Sequence, residues 1–154
     1  SGKILKGELV VPEPTAVAML ETQRFLFSPA NEAPEFANVM WADSIPKLLQ
    51  ARLLESFENY DIAHAPLRSM DGVQADYQLL IDVRRFQITI DPEPVADIEL
   101  SARILDKDGK VVASRLFQEA EKFDKIDPPT AATAFNDAFV RITRGVVAWT
   151  VDAL

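Results

Sequence analysis

Between Asp76 and Asp91 apolar residues alternate with polar ones, and the alternation changes phase once. Tyr77, Leu79, Ile81 and Val83 hold odd positions, whereas Phe86, Ile88 and Ile90 hold even ones. Successive side chains of a strand point to opposite faces, so this pattern dictates a strand with one face buried. For the same face to stay buried across the flip, one extra residue must be absorbed at Arg84-Arg85. A β-bulge is the simplest device that does so.

The segments around this strand supply its neighbours and its cover. Ile98, Leu100, Ala102 and Ile104 alternate as a second strand after the loop Asp91-Pro92-Glu93-Pro94. Asp106-Lys107-Asp108-Gly109-Lys110 then predicts a tight reversal, with Asp108-Gly109 supplying positive φ, and Val111 to Glu121 returns as the antiparallel partner. Upstream, Ile4 to Val11 and Arg24 to Pro29 read as strands, Ile62 to Ala65 as a brief one, and residues 13 to 23 are mixed. After Trp41, Ile45, Leu48, Leu49, Leu53, Phe57 and Tyr60 form one helical stripe, capped by Asp43 or Ser44 with Pro46 in the first turn. A second helix follows Asp127-Pro128-Pro129, with Thr130 as the expected N-cap. Ala134, Phe135, Ala138, Phe139, Ile142, Val146 and Trp149 share its apolar face, and Asp137 is positioned to pair with Arg141. The expected fold is therefore α+β: one antiparallel or mixed sheet of five to six strands with two main helices packed on one face. No repeat or long linker divides the chain, so residues 1–154 read as one domain, with Ser1-Gly2 as a tag remnant.

Composition narrows the chemistry. A chain of 154 residues buries about two thirds of its unfolded surface and needs no staple. It has no cysteine, which removes disulfides, thiolate-ligated metals and thiol nucleophiles. With 16 basic and 24 acidic residues the net charge is −8, a poor match for nucleic acid. No apolar run approaches the length of a membrane span.

Candidate reactive groups are few. His64 is the single histidine, and no nucleophile elbow accompanies it. Asp106-Lys107-Asp108-Gly109 lacks the later ligands of a calcium loop. The acidic clusters at Asp91, Glu93 and Asp97 and at Glu119, Glu121 and Asp124 read as solvated surface. No phosphate loop, cofactor motif or catalytic residue is found. Arg84, Arg85 and Phe86 at the expected bulge, together with Trp41, are the candidate partner-binding residues, because a bulge re-aims side chains and tryptophan anchors interfaces; the alternatives are a simple solvated arginine pair and packing of Trp41 in the core.

The stretches Glu8 to Ala16, Leu20 to Phe25, Trp41 to Gln50, Leu54 to Asn59, Tyr77-Gln78-Leu79, Val83 to Phe86, Ala134 to Ala138 and Trp149-Thr150 resemble, in order, the ABC-type transport auxiliary lipoprotein family. The resemblance implies a non-enzymatic accessory of the Gram-negative envelope. It would sit in the periplasm, anchored to the outer membrane by a lipidated cysteine that this sequence lacks. Implied partners are an ABC permease and ATPase with an MCE-type substrate-binding subunit that moves lipids or other hydrophobic molecules. An adaptor of that kind is expected to have a solid core and a recognition surface. A carrier that itself holds a hydrophobic ligand needs an elongated apolar cavity.

Overall fold

A computed structural model describes residues 7–29, 33–59, 66, 68 and 75–154. The expected strand at Ile62 to Ala65, His64 and Tyr60 lie outside the described residues. In chain order the elements are β1 (Leu9–Val10), β2 (Thr15–Ala16), β3 (Phe27–Ser28), α1 (Ile45–Asn59), β4 (Tyr77–Thr89), β5 (Val95–Asp106), β6 (Val111–Lys122) and α2 (Pro128–Ala153). They form one mixed six-stranded sheet and two main helices, the α+β arrangement expected.

β4, β5 and β6 make an antiparallel meander. The other edge of β4 is covered piecewise by β1, β2 and β3, all parallel to it, with Leu9 opposite Tyr77, Thr15 opposite Asp82 and Phe27 opposite Ile88. β2 falls where the sequence shows no pattern, because a two-residue strand is too short to display a period.

The phase flip is resolved as expected. Val83 faces Leu100 and Arg85 faces Glu99, so Arg84 is the extra residue and the register shifts between Val83 and Arg85. Leu79, Ile81, Val83, Phe86 and Ile88 consequently all enter one core. They meet Ile98, Leu100 and Ile104 of β5, Leu49, Leu53 and Phe57 of α1, and Phe135, Ile142 and Val146 of α2. In the hairpin Gly109 carries the positive φ, 81°, and a register shift between Ile104 and Leu105 follows. Asp106 Oδ1 accepts the N–H groups of Asp108 and Lys110, which is the local use of this acidic turn.

Two local expectations are corrected. The N-cap of α2 is Asp127, not Thr130: Asp127 is extended (φ −133°, ψ 156°) and its Oδ1 accepts the Thr130 N–H at 2.9 Å. Pro128 and Pro129 have no N–H to satisfy, so the first donor in need of an acceptor is that of Thr130. Arg141 does not pair with Asp137. It reaches across to β6 and holds Glu119 at 2.7 Å and Glu121 at 2.8 Å. These hydrogen bonds, Glu119's first, raise its pKa above the ordinary value.

Hydrogen bonds from Thr130 hold the Asp127 carboxyl below its ordinary value of 3.8. A carboxyl depressed in the folded state stabilises above its unfolded pKa, and the contribution is lost as pH falls through the folded value. Asp127→Ala is therefore expected to lower the melting temperature at neutral pH and to match the parent chain in strong acid. Thermal melts across pH check this, and a pH-independent difference would count against the cap.

Candidate interaction site

Trp41 is placed by the chain that precedes α1. Its N–H donates to the Gln23 carbonyl at 2.7 Å, Gln23 Nε2 donates back to the Trp41 carbonyl at 3.1 Å, and the Ile45 N–H donates to the Thr22 carbonyl at 2.9 Å. The Ser44 carbonyl accepts the first helical bond, from Leu48, while Asp43 Oδ1 takes the Ser44 N–H. Zipped together in this way, residues 22–25 and 40–45 lay Phe25 flat on Trp41, with ring centroids 3.9 Å apart. Trp41 meets Phe86 edge-on at 5.5 Å and Phe135 at 5.2 Å, and Phe86 stacks on Phe135 at 5.1 Å. Phe86 is buried and Trp41 half-buried, so the structure brings these two together inside the aromatic core rather than on a surface.

The arginines part company at the bulge. Arg85 lies on the sheet face opposite the helices, where its Nε donates to Asp97 Oδ2 at 3.0 Å and its Nη2 lies 2.9 Å from Glu99 Oε1. Thr89 Oγ1 donates to the same Asp97 oxygen at 3.2 Å. Asp97, which the sequence places in a solvated cluster, is buried by this arrangement. Arg84, the extra residue of the bulge, projects into solvent with its side chain 52% exposed and pairs with Asp82 at 2.8 Å.

Arg84 therefore stands alone among the four at an open surface, and that surface is partly apolar. With Gln87, Val17, Met19, Leu20 and Phe27 it lines a groove of about 310 Å³. Val17 is 63% and Met19 71% exposed, values that set them apart from the buried apolar residues around them. Sequence reasoning missed both, because residues 13–23 carry no period. Val17 precedes a short helical turn, Ala18–Leu20, and Met19 lies within it, an arrangement that leaves no mark beyond that lack of pattern.

Gln50, on α1, is a second buried polar group that periodicity did not single out. Its Nε2 donates to the Val11 carbonyl at 3.0 Å, and Arg68 Nη1 donates to its Oε1 at 3.0 Å. Its amide nitrogen thus ties α1 to the first strand region, and its oxygen holds Arg68. Other hollows lie between α1 and α2, about 490 Å³, and between β6 and α2, about 510 Å³. Both are troughs with charged and apolar walls. Among the described residues no group of three or more metal-ligating side chains converges, and no helix is long and apolar enough to cross a membrane.

Residues 3–147 match the family model described as the ABC-type transport auxiliary lipoprotein component. An uncharacterized protein of Bradyrhizobium diazoefficiens is 61% identical over 154 residues, which is all of this chain and 42% of that protein. The chain thus spans about two fifths of the length of this curated relative. The crystal structure of protein XCC0632 from Xanthomonas campestris superposes with a TM-score of 0.85 at 31% identity, covering 97% of this chain and 86% of that one. The PelC dodecamer from Paraburkholderia phytofirmans shares the fold at a TM-score of 0.59 and 10% identity, over 91% of this chain and 84% of that one.

Proposed function

We propose, because this chain belongs to the ABC-type transport auxiliary lipoprotein family, that it is a non-enzymatic adaptor working beside an ABC permease and ATPase. Its direct contact in this reading is an MCE-type substrate-binding subunit that moves lipids or other hydrophobic molecules. The full-length protein then resides in the periplasm, tethered to the outer membrane by an N-terminal lipid, and residues 1–154 act as its one adaptor domain.

The observation that carries the reading is the family match over nearly the whole chain. The distribution of side chains supports it. Gln50, Asp97, Glu119, Glu121 and Arg141 are all engaged in internal hydrogen bonds or ion pairs. The aromatic residues between sheet and helices pack on one another. What is left to act on a partner is surface, and the groove of Val17, Met19 and Arg84 combines exposed apolar area with a guanidinium in the way interface centres do.

Affinity recovery of the full-length lipoprotein from envelope extracts, followed by mass spectrometry of proteins and lipids, tests it. The expected result is an MCE-type subunit with permease or ATPase and no stoichiometric lipid. Recovery of that subunit should be lost on Met19→Asp, with the circular dichroism unchanged. A lipid bound one-to-one without any transporter subunit would replace the adaptor by a carrier.

A further inference from the structure

The two edges of the sheet are built differently. On one side β4 is covered by three fragments of two residues each, while on the other β6 runs for 12 residues without proline or glycine and has no second partner strand among the described residues. From Ala113 to Lys122 this edge is regular, its one register shift falling at Val112, and such an edge presents a row of unpaired backbone donors and acceptors that natural sheets ordinarily break up. Three large apolar residues with high exposure, Val111 (52%), Val112 (48%) and Leu116 (57%), lie on this strand.

The charges on β6 are self-complementary. Glu119 and Glu121 share the single guanidinium of Arg141, which leaves one negative charge over. Arg115, four residues before Glu119, makes no ion pair among the described residues; its guanidinium lies 5.1 Å from the Phe117 ring centroid. We propose that a second copy of this chain pairs with the free edge of β6, antiparallel, about a two-fold axis through Phe117. In that register Arg115 of each copy stands opposite Glu119 of the other and supplies the missing cation twice over. Leu116 stands opposite Gln118, and the two Leu116 side chains become diagonal neighbours on the sheet face away from the helices. Moving the axis to Leu116 would instead set Lys110 against Lys122. The pairing stands independently of the adaptor reading, since it uses the opposite edge of the sheet from Val17, Met19 and Arg84.

Sedimentation velocity of this chain, from micromolar to near-millimolar concentration at low and high salt, measures the association. A monomer–dimer equilibrium that weakens with salt is expected, and Arg115→Glu should weaken it about tenfold or more with an unchanged circular dichroism spectrum. Leu116→Lys serves as the second disrupting variant should Arg115→Glu fold poorly. The absence of native cysteine permits a register test: Leu116→Cys chains mixed with Gln118→Cys chains should cross-link to each other in preference to their own kind. A monomer at every concentration, a dimer indifferent to both charge and Leu116 substitutions, or no preferred cross-link would each overturn the pairing.

Discussion

Phe135→Ala is expected to cost about 3–5 kcal/mol of folding free energy, the range for deleting a large buried ring whose neighbours cannot collapse into the space. Phe135 is 1% exposed and sits where four parts of the chain converge. Its ring stacks on Phe86 of β4 and receives the edges of Trp41 and of Phe25, the latter at 5.9 Å. Because those residues come from the loop before β3, the loop before α1, the central strand and the long helix, one deletion loosens them together. A domain of this size has a total stability of roughly 5–15 kcal/mol, so the variant should be close to unfolding. Phe139→Ala removes a ring that faces Phe86 from one side and Arg52 from the other, and should cost less. Urea titrations followed by tryptophan fluorescence decide the matter. The midpoint for Phe135→Ala should fall steeply, and a loss below about 1 kcal/mol would mean that this cluster does not organise the core.

Two partners of Phe135, Phe86 and Trp41, differ in how far their places can be read from the sequence. The phase flip at Arg84-Arg85 announces the bulge, because a face that must stay buried cannot tolerate a one-residue slip without absorbing it. Keeping one face buried also places Phe86 inside, because the residue that resumes the alternation belongs to the core. The flip narrows the extra residue to Arg84 or Arg85, and only the register, with Arg85 opposite Glu99, makes it Arg84. Trp41 is harder. It lies on no periodic element, and its place against Phe25 depends on hydrogen bonds between residues 22–24 and 40–45 that no local pattern encodes. Of the three short parallel strands, β1 and β3 fall within the stretches Ile4 to Val11 and Arg24 to Pro29 that read as strands, whereas β2 leaves no pattern and the parallel pairing of all three is unannounced. They exist because β4 is long enough to accept three partners in succession, a property of β4 rather than of Thr15 or Phe27. Likewise Arg141 finds its acids about twenty residues back on β6 and not one turn away on its own helix. An isolated i,i+4 pair has little energy to hold it against a guanidinium that two carboxylates can share. The exposed pair Val17 and Met19 is the part of the candidate surface that only three dimensions reveal.

Arg85→Met is expected to destabilise the fold by about 2 kcal/mol, and Arg84→Met by no more than about 0.5 kcal/mol, although the two are adjacent and chemically identical. The difference follows from what each leaves behind. Arg84 and Asp82 are both largely in water, with side chains 52% and 44% exposed, so removing one lets the other hydrate. Arg85 serves Asp97 and Glu99, whose side chains are only 13% and 16% exposed and lie two residues apart on one face of β5. Without the guanidinium those carboxylates face each other with little solvent to screen them, and Asp97 Oδ1 already lacks a hydrogen-bond partner among the described residues. Removing one member of a buried charged group costs more than removing all of it, because the survivor keeps its desolvation penalty. The triple variant Arg85→Met, Asp97→Asn, Glu99→Gln should therefore regain most of what Arg85→Met loses. Denaturant midpoints for the three chains test the argument as a set. If Arg85→Met proves as mild as Arg84→Met, the charged face of the sheet is better hydrated than its burial implies. If instead the triple variant is no better than Arg85→Met, the loss comes from packing of the arginine stem. With the expected ordering, Arg85 is a structural clamp, and Arg84 is the arginine of this pair free to be mutated in a binding experiment without disturbing the fold.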